Sequence, residues 1–299
     1  MSNYKSTFLG IILYTSLIIG YIYGENLNYG PYYDWPLNKL VVTEFSNNLV
    51  ETLINYEKYG HRHSPVYLVF LSFILDLGIS IEFIRIIHLH ICLSLIFVFY
   101  RCLQLKFKKV DNQYLAILSL VIFLSPSFRS LTIWPDSRIP GLIFFITSIL
   151  YFLKFLNEYK IKYAFFCTIS IILSSYISPN FSVFILYFYY FFMKNMKINN
   201  LIYLLLFNFF LALPMIFYVF IMDVNFLIAG GTEQGGERVV LRYNISNKVL
   251  LISTIFLFHF LPFINSLLDI SNIKKFAQKN LIIIILPLII LIYFFDYSS

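Results

Sequence analysis

The sequence predicts an all-α polytopic membrane protein, and three observations support this. Of the 299 residues, 60% are hydrophobic and 12% are charged, whereas soluble domains carry about 25% charged residues. Many apolar runs approach or exceed the roughly 17 to 20 residues that cross a bilayer as a helix. The sequence also lacks the apolar and polar alternation, in strands of about 10 residues, that is typical of a membrane barrel.

Nine apolar segments are predicted to span the membrane. The first follows Lys5 and has no small-x-small cleavage site after it, which favours an uncleaved anchor over a signal peptide. The predicted spans are 7–23, 82–101, 112–127, 139–157, 162–178, 181–193, 200–222, 249–268 and 281–296.

One further apolar run, 66–77, is predicted to be re-entrant or to lie along the outer interface. It is short, contains Asp76, and lies between Pro65 and Gly78. If it does not cross and the N-terminus is inside, the basic loops fall on the inner side, as the positive-inside rule requires. These inner residues are Arg101, Lys106, Lys108, Lys109, Lys154, Lys160, Lys162, Lys194, Lys197, Lys274, Lys275 and Lys279.

The outer loops of this topology are 24–65, 128–138 and 223–248, and the C-terminus faces outward. The basic inner loops account for the net charge of +7, so that charge does not indicate a nucleic-acid partner. Within the first outer loop, 36–56 is predicted to form an amphipathic helix at the membrane surface. Its apolar face comprises Leu37, Leu40, Val41, Phe45, Leu49, Leu53 and Tyr56.

Two acids are predicted to lie at the outer membrane face, beside apolar helices. Asp34 precedes the amphipathic helix, and Asp136 lies in the second outer loop between Arg129 and Arg138. Charges at this depth are costly unless they are paired or functional. Two structural explanations stay open, because Asp34 also suits a helix N-cap and Asp136 also suits an ion pair with either arginine.

The order of these elements resembles the GT-C class of integral-membrane glycosyltransferases. The branch most similar to it includes the protein O-mannosyltransferases and the lipid A aminoarabinose transferase. The resemblance covers about residues 1–195, and 196–299 is predicted to add variable C-terminal helices with the outer loop 223–248. The motifs that carry it follow the first helix and Asp34, and they are His63-Ser64-Pro65-Val66-Tyr67, Leu77-Gly78-Ile79-Ser80 with Phe83 and Arg85, Tyr100-Arg101, Ser125-Pro126 and Asp136.

The resemblance implies transfer of a sugar from a polyprenyl-phosphate carrier to an acceptor hydroxyl or amine, with inversion. Asp34 is then the base or the carboxylate that orients the acceptor, and Asp136 is the second acid of the catalytic site. Guanidinium groups suit the departing lipid phosphate, since their planar fork matches phosphate oxygens. The residues implied in binding the donor phosphate are Arg62, Arg85, Arg129, Arg138, His61 and His63.

The glycine-rich loop 229–242 is predicted to be either a flap over the site or a plain flexible loop. Within it, Glu233 and Glu237 are candidates for acceptor contacts. The three cysteines lack metal-site spacing, which favours free buried thiols, and His88 and His90 at i and i+2 point in different directions. No cofactor is required by any motif, and the need for a divalent metal is left open.

The implied partners are the lipid-linked donor, a glycan, lipid or protein acceptor, and membrane lipids, with no nucleic acid. The expected location is the plasma (inner) membrane, with the site facing the periplasm or exterior and a role in cell-envelope polysaccharide biosynthesis. Two alternatives stay open. One is a polysaccharide polymerase of lipid-linked repeats that relies on loop 223–248, and the other is a non-catalytic flippase or assembly partner.

Overall fold

A computed structural model describes residues 3–27, 29–59 and 64–220. Within these ranges the regular structure is helical, without strands, as the sequence predicts. The α-helices are α1 Asn3–Ile22, α2 Tyr29–Asn47, α3 Leu49–Ile54, α4 Val66–Asp76, α5 Ile81–Lys106, α6 Asn112–Leu120, α7 Pro126–Ile133, α8 Arg138–Glu158, α9 Ile161–Ile177, α10 Phe184–Asn195 and α11 Ile198–Phe220. Short 3-10 helices occupy Tyr56–Tyr59, Val121–Leu124 and Pro179–Phe181.

Four helices in the described part are long and apolar enough to cross a membrane, and a bent pair of helices raises this number to five. The prediction of nine spans is therefore not confirmed. The 12 residues of α10 extend about 18 Å, against a hydrocarbon core of about 30 Å. The predicted spans 249–268 and 281–296 and the outer loop 223–248 lie outside the described residues. The four helices are Lys5–Ile22, Ile81–Lys106, Arg138–Glu158 and Ile198–Met215.

The predicted span 112–127 contains a bend near its end. The chain from Asn112 to Leu124 meets α7 at a bend of 70°. The reason is local, because Pro126 holds the preceding Ser125 in an extended conformation and occupies the first turn of the next helix. The Ser125 hydroxyl then accepts the amide hydrogen of Phe128 at 3.3 Å. Most of the predicted outer loop 128–138 is therefore helical.

The helix predicted at 36–56 begins earlier and is broken. Because α2 begins at Tyr29, Asp34 lies inside it, and the interpretation of Asp34 as an N-cap is wrong. The helix stops at Asn48, whose side chain accepts the Glu51 amide and starts α3. Val41, Phe45 and Tyr56 are buried as the predicted apolar face requires, but Leu40, also predicted on that face, is 50% exposed. The position of this segment at a membrane surface stays a prediction.

Helices α8 and α9 pack closely where one begins and the other ends. A Cβ added at Gly141 would lie 2.6 Å from the Cβ of Ser178, so only glycine fits there. The Ser174 hydroxyl donates to the Gly141 carbonyl at 2.8 Å. These contacts fix the start of α8, which carries a candidate site residue.

Helix α11 packs on the same bundle through α9. The Tyr176 hydroxyl donates to the Leu211 carbonyl at 2.6 Å and accepts the Met215 amide at 3.2 Å. The Tyr176 hydroxyl thus lies among the backbone hydrogen bonds of α11 near Pro214. A proline tends to interrupt these bonds and to kink the helix.

The candidate site residues and the predicted inner loops lie at opposite ends of α8. Its 21 residues span about 31 Å, with Arg138 at one end and Glu158 at the other. At the Glu158 end, Lys108 donates to Asn157 at 3.2 Å, which joins the α5–α6 connection to the end of α8. Two of the predicted inner loops therefore meet at the end of α8 that lies farthest from Arg138.

Candidate active site

One guanidinium group contacts both predicted catalytic carboxylates. Arg138 donates to Asp136 from Nε at 2.8 Å and from Nη2 at 2.7 Å. Its Nη2 also lies 3.4 Å from Oδ2 of Asp34. The structure therefore brings together two residues 102 positions apart in the sequence, through the first residue of α8.

The two carboxylates have different surroundings. The Asp136 side chain is fully buried, and its Oδ1 also accepts the backbone amide of Arg138 at 2.7 Å. This turn, in which a carboxylate accepts the amide two residues on, is a conformation that aspartate favours. The side chains of Asp34 and Arg138 are 45% and 39% exposed. Asp136 thus holds the arginine, whereas Asp34 is the carboxylate that is partly open to solvent.

Asn38 places Asp34 against this loop, and the sequence analysis missed it. It lies four residues after Asp34 on the same face of α2, and it is buried. Its Nδ2 donates to the Pro135 carbonyl at 2.9 Å, one residue before Asp136. A polar residue one helical turn from a candidate base is the sequence signal that could have identified it.

Arg85 stacks on two aromatic rings beside this cluster. Its Cζ lies 4.0 Å from the ring centre of Trp134 and 4.9 Å from that of Tyr21. Trp134 also meets Tyr32 edge to face at 4.9 Å. Since Tyr32 lies two residues before Asp34 and Trp134 two residues before Asp136, the arginine adjoins both segments of the site.

Arg129 does not contact Asp136, so that alternative is wrong. Its guanidinium forms an ion pair with Glu25, through Nε to Oε1 at 2.5 Å and through Nη2 to Oε2. It also donates to the Ser16 hydroxyl and carbonyl at 3.3 and 3.1 Å. The pair is largely buried and ties α7 to α1 and its following turn, so most donors of Arg129 are occupied.

A buried chain of hydrogen bonds joins helices α4, α5 and α7 near the site. His88 donates from Nε2 to the Leu131 carbonyl at 2.8 Å, so its Nδ1 accepts from the Tyr67 hydroxyl at 2.5 Å. Burial raises the pKa of the Tyr67 phenol well above its usual value, and the nearby Asp136 carboxylate adds to this. The tyrosine is therefore a neutral donor that joins α4 to α5 and α7.

His90 lies on another side of α5, as the i and i+2 spacing predicts. It bonds Tyr14 at 3.1 Å and borders a shallow apolar groove of about 520 Å³. The groove residues Phe83 and Ile87 lie on the side of α5 opposite to Arg85, given 100° of rotation per residue. This groove is therefore separate from the candidate site.

Several predicted site residues lie outside the described residues. These are His61, Arg62, His63, Glu233 and Glu237. Ser64, which follows the first three of these residues, donates its hydroxyl hydrogen to the Tyr176 carbonyl near the end of α9. Among residues 3–27, 29–59 and 64–220, no three His, Cys, Asp or Glu side chains are grouped to hold a metal ion. Within the described part of the chain, Arg138 is a cation that contacts both Asp34 and Asp136.

Comparisons of the chain with protein-family models, with curated protein sequences and with solved structures found no match.

Proposed function

We propose that this chain is a multi-pass membrane glycosyltransferase that takes a sugar from a polyprenyl-phosphate donor. The observation that carries the proposal is the shared contact of Asp34 and Asp136 with Arg138. It gives one accessible carboxylate, one buried carboxylate and a guanidinium at a single end of the helix bundle. The apolar helices supply the membrane setting that a polyprenyl donor requires.

The reaction assigns one task to each group. The acceptor oxygen or nitrogen attacks the anomeric carbon, and the bond from that carbon to the phosphate oxygen breaks. The electron pair leaves with the lipid phosphate, whose charge is offset by guanidinium groups. The acceptor proton passes to the Asp34 carboxylate, which acts as the general base. Attack from the face opposite to the leaving phosphate inverts the anomeric centre.

Asp136 has a positioning task in this mechanism. Its burial and its two side-chain contacts with Arg138 fix the direction of the guanidinium. A bidentate pair of this kind restrains a flexible side chain better than a single contact does. Arg138 keeps donors on Nη1 for a polar substrate group, since its bonds use Nε and Nη2.

The proposed orientation places this end of the bundle outside. Lys108 and the end of α8 mark the opposite end, where the positive-inside rule places the cytoplasm. The 11 residues of α4 extend about 17 Å, which suits a helix that enters the bundle without crossing the bilayer. The site then faces the periplasm or exterior of the plasma membrane.

Sugar transfer by the purified full chain in lipid nanodiscs tests the proposal. The donor is a radiolabelled polyprenyl-phosphate sugar, and release of polyprenyl phosphate is measured with and without added acceptors. Asp34→Asn is expected to lower turnover about 100-fold or more, the usual contribution of a general base. Asp111→Asn is the matched control, because this exposed acid caps α6 at the other end of the bundle.

Wild-type turnover in Asp34→Asn would overturn the assignment of the base. Movement of an intact lipid-linked sugar across the membrane, without release of polyprenyl phosphate, would identify a flippase instead. Loss of abundance in Asp34→Asn, with normal turnover per folded molecule, would show a structural role alone.

A further inference from the structure

In the described part of the chain, three arginines at this end of the bundle differ in whether a carboxylate balances their charge. Arg129 is neutralised by Glu25. Arg138 forms ion pairs with two carboxylates, those of Asp34 and Asp136. Arg85 makes no ion pair within 4.0 Å with any acid in the described part of the chain. Among these three arginines, Arg85 is therefore the one that the described residues leave without a carboxylate partner.

We infer that Arg85, held on the ring of Trp134, forms an oxyanion-binding site that takes a phosphate group. This inference rests on the proposed function and deepens it, because the phosphate is taken to be that of the proposed donor. It assigns the phosphate to Arg85 and not to Arg129 or Arg138, whose guanidinium groups are already bound to carboxylates.

The donor atoms of Arg85 lack the partners that buried donors normally have. Its Nε and Nη2 are enclosed by protein and form no hydrogen bond. A buried charged group without such a bond is costly, and most native structures avoid it. Arg85 as a whole is partly exposed, so an anion can approach from outside and meet Nη1 first. An oxyanion bound at Nη1 would supply the missing countercharge.

The rings of Trp134 and Tyr21 explain how the guanidinium stays in place without an acid. At 4.0 and 4.9 Å from the ring centres, the cation is attracted by the electron-rich faces. These contacts cover the faces of the guanidinium, and Nη1 is not among its enclosed donors. The planar fork suits two phosphate oxygens better than a single charged point would.

The neighbouring acid does not fill this role. Glu82 lies one turn before Arg85 on α5 and is exposed. Its backbone carbonyl accepts from the Tyr21 hydroxyl at 3.3 Å, so the first turn of α5 is tied to the ring that Arg85 covers. The arrangement therefore holds the cation still while leaving it without a bound carboxylate.

The position of Arg85 relative to Asp34 fits one substrate that contacts both. Ring contacts lead from Arg85 to Trp134 at 4.0 Å and from Trp134 to Tyr32 at 4.9 Å. Tyr32 and Asp34 are two residues apart on α2. A sugar phosphate can therefore place its phosphate at Arg85 and its sugar towards Asp34.

Tryptophan fluorescence of the full chain in detergent tests this site without measuring turnover. The chain has two tryptophans, so Trp35→Phe leaves Trp134 as the one tryptophan emitter. Three probes are titrated separately: inorganic phosphate, inorganic pyrophosphate and a short-chain isoprenyl phosphate. We expect a saturable change in Trp134 emission, because an anion on Arg85 alters the charge 4.0 Å from the ring.

Substitutions at Arg85 decide whether that signal comes from the site. Arg85→Gln is expected to weaken binding about 10- to 100-fold, the effect of losing charged hydrogen bonds. Arg85→Lys, which keeps the charge but loses the fork, is expected to weaken it less. Arg101→Gln is the control, since this exposed arginine bonds Gln104 on α5 far along the helix.

The outcomes separate the sources of the anion. Saturation by the inorganic probes and by isoprenyl phosphate supports a general phosphate site, and saturation by isoprenyl phosphate alone supports a lipid headgroup site. No saturable change with any probe overturns the inference, as does equal binding in Arg85→Gln. If Arg85→Gln does not fold, the wild-type titration and Arg85→Lys decide the matter. Phosphate binding that persists while Asp34→Asn retains full turnover would refute the proposed base and leave this site standing.

Discussion

Removal of the Arg138 side chain is expected to destabilise the protein because Asp136 cannot be reached by water. The substitution Arg138→Met keeps the length of the side chain and removes its donors. Asp136 then loses the bonds from Nε at 2.8 Å and Nη2 at 2.7 Å. It keeps the bond from the backbone amide of residue 138 at 2.7 Å.

The size of the effect follows from burial. Breaking a buried ion pair by removing one partner costs about 3 to 5 kcal/mol. The low end applies here, since the arginine side chain is 39% exposed and Asp136 keeps a backbone donor. A loss of about 3 kcal/mol lowers the unfolding midpoint by roughly 6 to 12 °C in a chain of this size.

Thermal unfolding in detergent, followed by fluorescence-detected size-exclusion chromatography, measures this midpoint. Arg101→Met is the matched control, and its exposed contact with Gln104 predicts a change within about 0.5 kcal/mol. The double variant Arg138→Met with Asp136→Asn is expected to recover more than half of the loss, because the buried charge is gone. A midpoint for Arg138→Met equal to that of the wild type, or no recovery in the double variant, would refute the reasoning.

Three further predictions use the same unfolding assay. Gly141→Ala is expected to cost roughly 1 to 3 kcal/mol because its methyl group meets α9, whereas Gly30→Ala has open space and is expected to be tolerated. Asn38→Ala is expected to cost about 1 to 3 kcal/mol by leaving a buried carbonyl unpaired, and also to lower turnover by freeing α2 from the loop. Tyr67→Phe is expected to cost about 1 to 3 kcal/mol, since His88 loses its buried donor. Wild-type midpoints in these variants would contradict the packing described here.

The sequence predicted the helical class and the proximity of the two acids through different signals. Apolar length identified α1, α5, α8 and α11, because a long run without charge has few alternatives to a helix. The resemblance to the GT-C class implied that Asp34 and Asp136 share one site, and the contact of both residues with Arg138 agrees with that placement. The chemistry assigned to the site stays a proposal.

The sequence pattern could not predict contacts that depend on how a helix is rotated about its axis or on where the chain bends. The bend before α7 turns Arg129 towards Glu25, and no spacing rule relates residues 104 positions apart. The same bend places Trp134 over Arg85. Asn38 was missed because α2 begins at Tyr29, so its register relative to Asp34 was visible only once the helix start was known.

The central claim is that a single lipid-linked sugar phosphate contacts Asp34 and Arg85 at one end of the bundle. An electron cryomicroscopy map of the chain with a bound polyprenyl-phosphate sugar tests it directly. The account predicts phosphate density within hydrogen-bond distance of the Arg85 guanidinium and sugar density beside the Asp34 carboxylate. Headgroup density at the Lys108 end of the bundle, or on the apolar groove beside His90, would contradict it.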